Sequence, residues 1–174
     1  MIQVKMSEKV LPAFYDFWKA CNNEQYLYKV LKGGRNSAKS THISIRFIYD
    51  MMKYPVNALV VRKVANTIET SVFEQLQWAI EHLEVSQYWK VKKSPLELIY
   101  LPRGNKILFR GADDPLKIKS IKTSKFPITH LWVEELAEFK NEEEVDTIVN
   151  SVLRAELPDG LEYNIFFSYN PPVS

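Results

Sequence analysis

The chain has 174 residues, of which 46% are hydrophobic and 25% charged, as expected for one globular domain with a real core. Its formal net charge of +2 is too small to indicate nucleic-acid binding by composition alone. The single cysteine, Cys21, excludes an intramolecular disulfide and fits a reducing cytosol. No stretch approaches the roughly 20 apolar residues of a membrane span, and residues 1–10 lack the apolar core of a signal peptide.

Hydrophobic periodicity predicts strands that alternate with helices, which is typical of a parallel sheet covered on both faces. Turn residues interrupt this order once, where Pro102 to Asn105 join two strands into a hairpin. Asn66 or Thr67 is expected to cap the second long helix, and Asn141 with Glu144 resembles a capping box. In chain order, the predicted elements are a helix at 11–21, a strand at 26–32, a loop at 33–41, a helix from Ser40 to Tyr54, a strand at 57–63, a helix at 67–84, strands at 96–101 and 106–110, a lysine-rich loop at 115–127, a strand at 128–134, a helix at 142–156 and a strand near 162–168.

The loop at 33–41 reads Gly-Gly-Arg-Asn-Ser-Ala-Lys-Ser-Thr and nearly matches the phosphate-binding pattern G-x-x-x-x-G-K-[ST]. Its backbone N–H groups would cradle a polyphosphate, Lys39 would reach the β- and γ-phosphates, and the Ser40 hydroxyl would hold Mg²⁺. The alternative is a glycine turn before a helix with no ligand, but the strand before the loop and the helix after it favour the motif. The predicted nucleotide-binding residues are Gly33, Gly34, Arg35, Asn36, Ser37, Ala38, Lys39, Ser40 and Thr41.

Ala38 stands where the pattern has its second glycine. Glycine accepts backbone angles that alanine resists, so we expect the loop to form with a negative φ at Ala38. Asn36 is tolerable because asparagine accepts left-handed angles.

Two consecutive acids, Glu134 and Glu135, follow the apolar strand at 128–134. In a parallel sheet this strand ends at the same edge as the phosphate-binding loop. Glu134 is predicted to hold Mg²⁺, and Glu135 to orient or deprotonate the attacking water. The alternative is that both acids simply begin a solvated acidic run that extends to Glu144.

A series of motifs in this order resembles the large terminase subunit of tailed phages, in the branch found in phages and defective prophages of Gram-positive bacteria. The resemblance covers essentially the whole chain. The segments that carry it are Gly33 to Ser40, Leu59 to Lys63, Ser71 to Leu76, Phe109 to Pro115, Trp132 to Phe139 and Ser168 to Pro172.

The resemblance implies an α/β P-loop NTPase of the ASCE type, with a mainly parallel central sheet flanked by helices and an inserted β-hairpin. It implies an ATPase that uses ATP and Mg²⁺ to move double-stranded DNA into a procapsid. Arg35 then matches a phosphate-contacting, catalytic arginine of such loops. Ser168 and Asn170 match the coupling motif, which senses the γ-phosphate.

Large terminases also place a basic residue before the acidic strand, where it acts on the ATP of the neighbouring subunit. Lys119 is the best match here, with Lys117 second and Arg110 as the rival. Because lysine cannot make the bidentate contact of arginine, its action would be that of a point charge.

The implied partners are double-stranded DNA, the portal protein and the small terminase subunit, in the cytoplasm of the infected bacterial host. An active ring of copies on the portal is expected, with a monomer in isolation and no membrane contact. We expect residues 1–174 to form one ATPase domain that lacks the last part of that domain and the metal-dependent nuclease domain. Two other functions stay open: a helicase-like translocase, and a nucleotide-binding assembly module that is inactive as an isolated fragment.

Two further predictions concern lysine and tryptophan residues. A lysine cluster between Asp114 and Glu134 is either a DNA contact or a solvated surface. The four tryptophans are expected in the core rather than in base-stacking platforms. The lysines are Lys117, Lys119, Lys122 and Lys125, and the tryptophans are Trp18, Trp78, Trp89 and Trp132.

Overall fold

The computed structural model describes residues 2–22, 27–33, 38–121 and 125–171. The α-helices are α1 Met6–Lys9, α2 Tyr15–Cys21, α3 Lys39–Lys53, α4 Glu74–His82, α5 Pro115–Lys119 and α6 Glu142–Val152. The strands are β1 Tyr28–Lys32, β2 Asn57–Arg62, β3 Trp89–Lys93, β4 Leu96–Tyr100, β5 Lys106–Gly111, β6 Ile128–Glu134 and β7 Asn164–Tyr169. A π-helical turn, Glu69–Phe73, leads directly into α4.

The strands form one seven-stranded sheet in the order β1-β7-β6-β2-β5-β4-β3. The first five strands of this order are parallel to one another, and β4 and β3 add to the β5 edge as antiparallel strands. The predicted fold class, a mainly parallel sheet with an added hairpin, is therefore confirmed. No helix within the described ranges is long and apolar enough to cross a membrane.

Both faces of the sheet are covered by helices and are buried. Successive residues of a strand point to opposite faces, so neighbouring residues pack into different clusters. Along β2, Val60 packs on one side against the face covered by α3 and α4, with Phe47 and Phe73. Val61 packs on the other side, where Ile148 of α6 covers the sheet. This alternation explains why the sequence of β2 is a continuous apolar run.

Some elements differ from the sequence predictions. No element was predicted for residues 90–93, which belong to strand β3 and whose charged, exposed side chains are those of an edge strand. The helix predicted at 142–156 ends at Val152. The helix predicted at 67–84 is divided into a 3₁₀ turn, the π-helical turn and α4, and neither Asn66 nor Thr67 caps it. The loop predicted at 115–127 begins with the short helix α5.

The carboxyl end of α3 is held by the turn between β4 and β5. Asn105 is fully buried, and its amide donates to the carbonyl of Met51 at 2.7 Å and to that of Val56 at 2.9 Å. Arg103 donates to the carbonyl of Tyr54 at 2.7 Å. Both residues satisfy carbonyls that a helix end leaves without partners, so the hairpin holds the carboxyl end of α3 in place.

A buried polar network joins α3 to the start of β6. The Asp50 carboxylate accepts from Arg46 at 3.0 Å and meets the His130 ring at 2.8 Å. Burial acts to raise the pKa of the Asp50 carboxyl, but the His130 hydrogen bond and the charges of His130 and Arg46 hold it below its ordinary value. The network lies at the edge of the sheet opposite the strand ends that carry the predicted site.

Candidate nucleotide-binding site

The carboxyl ends of β6 and β7 and the first turn of α3 meet around a cavity of about 490 Å³. Parallel strands end at the same edge, and this is where ligands bind in open α/β sheets. The cavity is lined by Ala38, Lys39, Ser40, Thr41, Thr70, Ser71, Glu74, Gln75, Trp78, Glu134, Glu135 and Asn170.

A hydrogen-bonded chain crosses the floor of this cavity. The Lys39 ammonium donates to the carbonyl of Gly33 at 3.2 Å and to the side-chain oxygen of Asn170 at 2.5 Å. The amide nitrogen of Asn170 in turn donates to the Glu135 carboxylate at 3.1 Å. Three segments far apart in sequence are thereby joined: the phosphate-binding loop, the acidic pair and the segment after β7.

Ala38 has φ 58° and ψ 15°, in the left-handed region. The expectation of a negative φ was wrong, since the loop keeps here the backbone conformation for which the motif normally uses glycine. The carbonyl of Ala38 meets both the backbone N–H of His42 at 3.1 Å and its ring Nδ1 at 2.9 Å. The predicted binding residues Gly34, Arg35, Asn36 and Ser37 lie outside the described residues.

The His42 ring fixes its own tautomer. Its Nε2 accepts from the backbone N–H of Leu11 at 3.2 Å, so Nδ1 carries the proton and donates to Ala38. Burial lowers the pKa of His42 and keeps the ring neutral, which this pair of bonds requires. The N-terminal segment is thereby attached to the base of the phosphate-binding loop.

Glu134 ends β6 with its side chain only 12% exposed. Burial raises the pKa of its carboxyl to about 7; the Arg62 charge opposes this, and Glu135 and Glu138 add to it. Arg62 Nε lies 3.8 Å from Glu134 Oε2, beyond hydrogen-bond reach, while Arg62 bonds Glu138 at 3.0 and 3.1 Å. One buried carboxylate oxygen of Glu134 therefore has no hydrogen-bond partner among the described residues.

This unpartnered oxygen fits a bound cation. Ser40 and Glu134 line the same cavity and offer a hydroxyl and a carboxylate, the oxygen ligands that Mg²⁺ prefers. Within the described residues there is no group of three or more His, Cys, Asp or Glu side chains that could hold a metal alone. Water and phosphate oxygens would have to complete the coordination, which is the usual mode for Mg²⁺ with nucleotides.

Glu135 also adopts the left-handed region, with φ 53° and ψ 57°. Such a conformation costs a non-glycine residue about 1–3 kcal/mol and is concentrated at functional sites. It follows a buried strand and precedes the 3₁₀ turn Leu136–Glu138, so the chain reverses sharply at this residue. The turn presents the Glu135 carboxylate to Asn170.

The two predicted coupling residues lie in different surroundings. Asn170 lines the cavity, whereas Ser168 is 1% exposed and its hydroxyl accepts from the indole N–H of Trp132 at 2.9 Å. Ser168 therefore joins β7 to β6 beneath the cavity.

None of the three candidates for the trans-acting basic residue lines the nucleotide cavity in the described part of the chain. Lys119 is exposed on α5 and borders a different cavity of about 470 Å³, together with Lys63 and Glu144. Lys117 is exposed on the same helix, and Arg110 donates to the carbonyl of the adjacent Phe109 at 2.7 Å.

Sequence reasoning did not predict that residues 70–78 line the cavity. They form one wall of it, and this wall includes Trp78, which is 40% exposed and so is not the core residue that was predicted. The signal was present, because Trp78 falls outside the apolar period set by Val72, Leu76 and Ile80. The sequence analysis also did not single out Arg62, whose guanidinium lies near the carboxylates of Glu134 and Glu138.

Comparison with known proteins gives consistent matches. A family model described as phage terminase large subunit matches residues 25–174. The terminase large subunit of Bacillus phage SPP1 is 60% identical over 172 residues, covering 99% of this chain and 41% of the relative. The PBSX phage terminase large subunit of Bacillus subtilis (strain 168) is 33% identical over 135 residues, covering 78% of this chain and 29% of the relative.

Solved structures share the fold at low sequence identity. The HK97 bacteriophage large terminase matches with a TM-score of 0.68 and 14% identity, covering 92% of this chain and 33% of that one. A large terminase from a thermophilic bacteriophage, in complex with ADP, matches with a TM-score of 0.61 and 15% identity, covering 97% of this chain and 39% of that one. The chain thus spans about two-fifths or less of each of these relatives.

Proposed function

The chain belongs to the family of phage terminase large subunits, and on that premise we propose that it is an ATP-hydrolysing motor domain that moves double-stranded DNA into a procapsid. Because it spans only 41% of its 60% identical relative, the proposal concerns the ATPase part and assigns no nuclease activity. The family match favours this function over a helicase-like translocase.

The observation that carries the proposal is the hydrogen-bonded chain from Lys39 through Asn170 to Glu135. It joins a phosphate-binding cation, a polar sensor and a carboxylate base within one cavity. The ADP complex of the large terminase from a thermophilic bacteriophage, which has this fold, supports a nucleotide as the ligand.

Nucleotide binding would redistribute the bonds of Lys39. Its ammonium leaves Asn170 and the Gly33 carbonyl for the β- and γ-phosphate oxygens, while backbone N–H groups of the loop surround the phosphates. Arg35 adds a further positive charge within this loop. When bound, Mg²⁺ held through Ser40 and Glu134 supplies charge neutralisation at the phosphate oxygens.

Glu135 is the group proposed to accept the proton of the attacking water. Its carboxylate is oriented by the Asn170 amide, which keeps one oxygen bonded and leaves the other for the water. Once Lys39 moves to the phosphates, the side-chain oxygen of Asn170 is released. Asn170 is therefore suited to report the presence of nucleotide to the strand β7 and to Ser168 below it.

For partners and location we propose what the family resemblance implies. We assign double-stranded DNA, the portal protein and the small terminase subunit as partners, with a ring of copies on the portal in the cytoplasm of the infected bacterium. Lys119 is proposed to act on the ATP of the neighbouring copy, with Lys117 and Arg110 as the rivals.

Replacing Glu135 with glutamine tests the catalytic assignment. Glu135→Gln keeps the size and one hydrogen-bond acceptor for Asn170 but removes the base. We expect ATP binding to persist and the hydrolysis rate to fall by about 10²-fold or more. Glu156→Gln, at an exposed acid beyond the end of α6, is the matched control and should leave the rate unchanged.

The same experiment separates the remaining alternative. Tight ATP binding without hydrolysis in any assembly, unaffected by Glu135→Gln, would favour a nucleotide-dependent assembly module. Equal hydrolysis rates in the wild type and Glu135→Gln would remove Glu135 from the chemistry.

A further inference from the structure

The wall of the nucleotide cavity formed by residues 70–78 has no role in the mechanism above. It consists of the π-helical turn and the first two turns of α4. Its cavity-facing residues Ser71, Gln75 and Trp78 recur at intervals of four and three, as on one face of a helix. The other face is buried in the core through Val72 and Leu76.

The π-helical turn sets which side chains face the cavity. The backbone N–H of Phe73 donates to the carbonyl of Ile68, five residues earlier, at 3.1 Å. This extra residue in the turn rotates α4 relative to the segment before it, and such insertions are frequent at functional sites. The Ser71 hydroxyl is already used, since it donates to the carbonyl of Thr67 at 2.6 Å.

Thr70 and Gln75 are the uncharged polar residues of this wall whose side chains have no hydrogen-bond partner among the described residues. Of the two, Gln75 has the longer side chain and is the less exposed. It is half-buried and lines the cavity, and its side-chain amide has no hydrogen-bond partner among the described residues. Glu74 lines the same wall, but its carboxylate would repel a phosphate. A primary amide can donate to a phosphate oxygen and can also accept from a water molecule.

The position of Gln75 indicates which part of a nucleotide it would meet. The same cavity is lined by Lys39, Glu134 and Glu135, the groups assigned above to the terminal phosphates, the metal ion and the attacking water. A donor that lines one cavity together with these three groups is available to the phosphate end of the ligand.

We infer that the Gln75 amide contacts the terminal phosphoryl group of bound ATP, so that helix α4 distinguishes ATP from ADP. The inference rests on the proposed nucleotide site. Loss of the terminal phosphate removes the contact and releases α4 from the cavity.

Hydrogen bonds connect α4 to the segment that follows strand β6. The carbonyl of Thr67, which accepts from Ser71, also lies 3.4 Å from an Arg62 guanidinium nitrogen. Arg62 bonds Glu138, three residues after Glu135. A movement of α4 would therefore reach the segment that carries the proposed base.

Equilibrium binding of ATP-γ-S and ADP, each with Mg²⁺, tests the inference. We expect Gln75→Ala to weaken ATP-γ-S binding by about tenfold or more, since a hydrogen bond to a charged group has that effect, and to change ADP binding less than about twofold. Gln77→Ala is the matched control, because Gln77 donates to the carbonyl of Phe73 and does not line the cavity. It should change neither affinity.

Trp78 supplies a second measurement that does not depend on hydrolysis. It lines the cavity and is 40% exposed, whereas Trp89 and Trp132 are buried. ATP-γ-S should change its fluorescence more than ADP does, and this difference should vanish in Gln75→Ala and in Trp78→Phe.

Equal weakening of both nucleotides by Gln75→Ala, or no weakening of either, would overturn the inference and leave the proposed function intact. Wild-type protein that binds neither nucleotide would overturn both. A Gln75→Ala variant with an unfolding midpoint matching the wild type excludes misfolding as the cause of the expected result.

Discussion

Two residues beside the nucleotide cavity, Ala38 and Glu135, hold left-handed backbone conformations that side chains disfavour. One begins α3 and the other begins the turn after β6. Both are attached to ligand-facing groups: Ala38 precedes Lys39, and Glu135 carries the proposed base. The strain is located where the chain must direct backbone N–H groups or a carboxylate into the cavity.

Ala38→Gly is expected to stabilise the protein. Glycine adopts φ 58° without steric cost, and this gain exceeds its larger loss of conformational entropy, for a net increase of about 0.5–1 kcal/mol in the free energy of unfolding. Urea denaturation measures the change. Ala79→Gly within α4 is the control and should lower stability by about 1 kcal/mol or more. Destabilisation by Ala38→Gly would contradict the left-handed conformation.

At the scale of residues, the sequence predicted which residues line the cavity at Lys39 and Ser40 but not the backbone angles beside them. The motif assigned Lys39 and Ser40 because their chemistry is tied to their spacing. The left-handed angle of Ala38 belongs to the loop as a whole, and the carbonyl of Ala38 is bound there by the His42 ring, which Leu11 binds in turn. The contact between Leu11 and His42 spans 31 residues, and no local pattern in the sequence encodes it.

At the scale of elements, a side-chain hydrogen bond joins strands β6 and β7 next to the cavity. The indole of Trp132 on β6 is fully buried, and its N–H donates to Ser168 on β7. These strands carry the acidic pair and Asn170 at their ends. The bond therefore fixes the relative position of two groups of the site.

Removing the Ser168 hydroxyl should be costly. Ser168→Ala leaves the indole N–H buried without a partner, which lowers the free energy of unfolding by about 1–3 kcal/mol. The matched control is Ser44→Ala, another fully buried serine, whose hydroxyl only adds a second bond to the Ser40 carbonyl within α3. Its effect should stay within about 0.5 kcal/mol. Equal effects of the two substitutions in thermal or urea unfolding would show that the indole finds another partner.

Strands with both faces buried were predicted well, and elements defined by exposed or irregular segments were not. The predicted strand at 128–134 is confirmed as β6 with the same bounds, because a buried parallel strand needs an uninterrupted apolar run. Strand β3 was missed because its lysines suit an exposed edge. The π-helical turn was missed because one added residue changes the helical period only locally.

At the scale of the whole molecule, the described part of the cavity contains the groups proposed to bind ATP and to deprotonate water but none of the three candidate trans-acting cations. Lys119 lies on α5, which packs against α6 on the other side of the sheet. A cation exposed there can reach the ATP of an adjacent copy only if copies associate. Hydrolysis by this chain should therefore depend on assembly.

The ATPase rate per subunit should rise with protein concentration, and Lys119→Ala should abolish the rise. Mixing provides the sharper measurement. Lys119→Ala subunits keep an intact Glu135, and Glu135→Gln subunits keep an intact Lys119, so mixed assemblies contain complete sites that neither variant forms alone. We expect the mixture to regain activity. Lys117→Ala, on the same exposed helix, should behave as wild type. A rate per subunit independent of concentration, or a mixture as inactive as its components, would show that each copy works alone or that another residue supplies the cation.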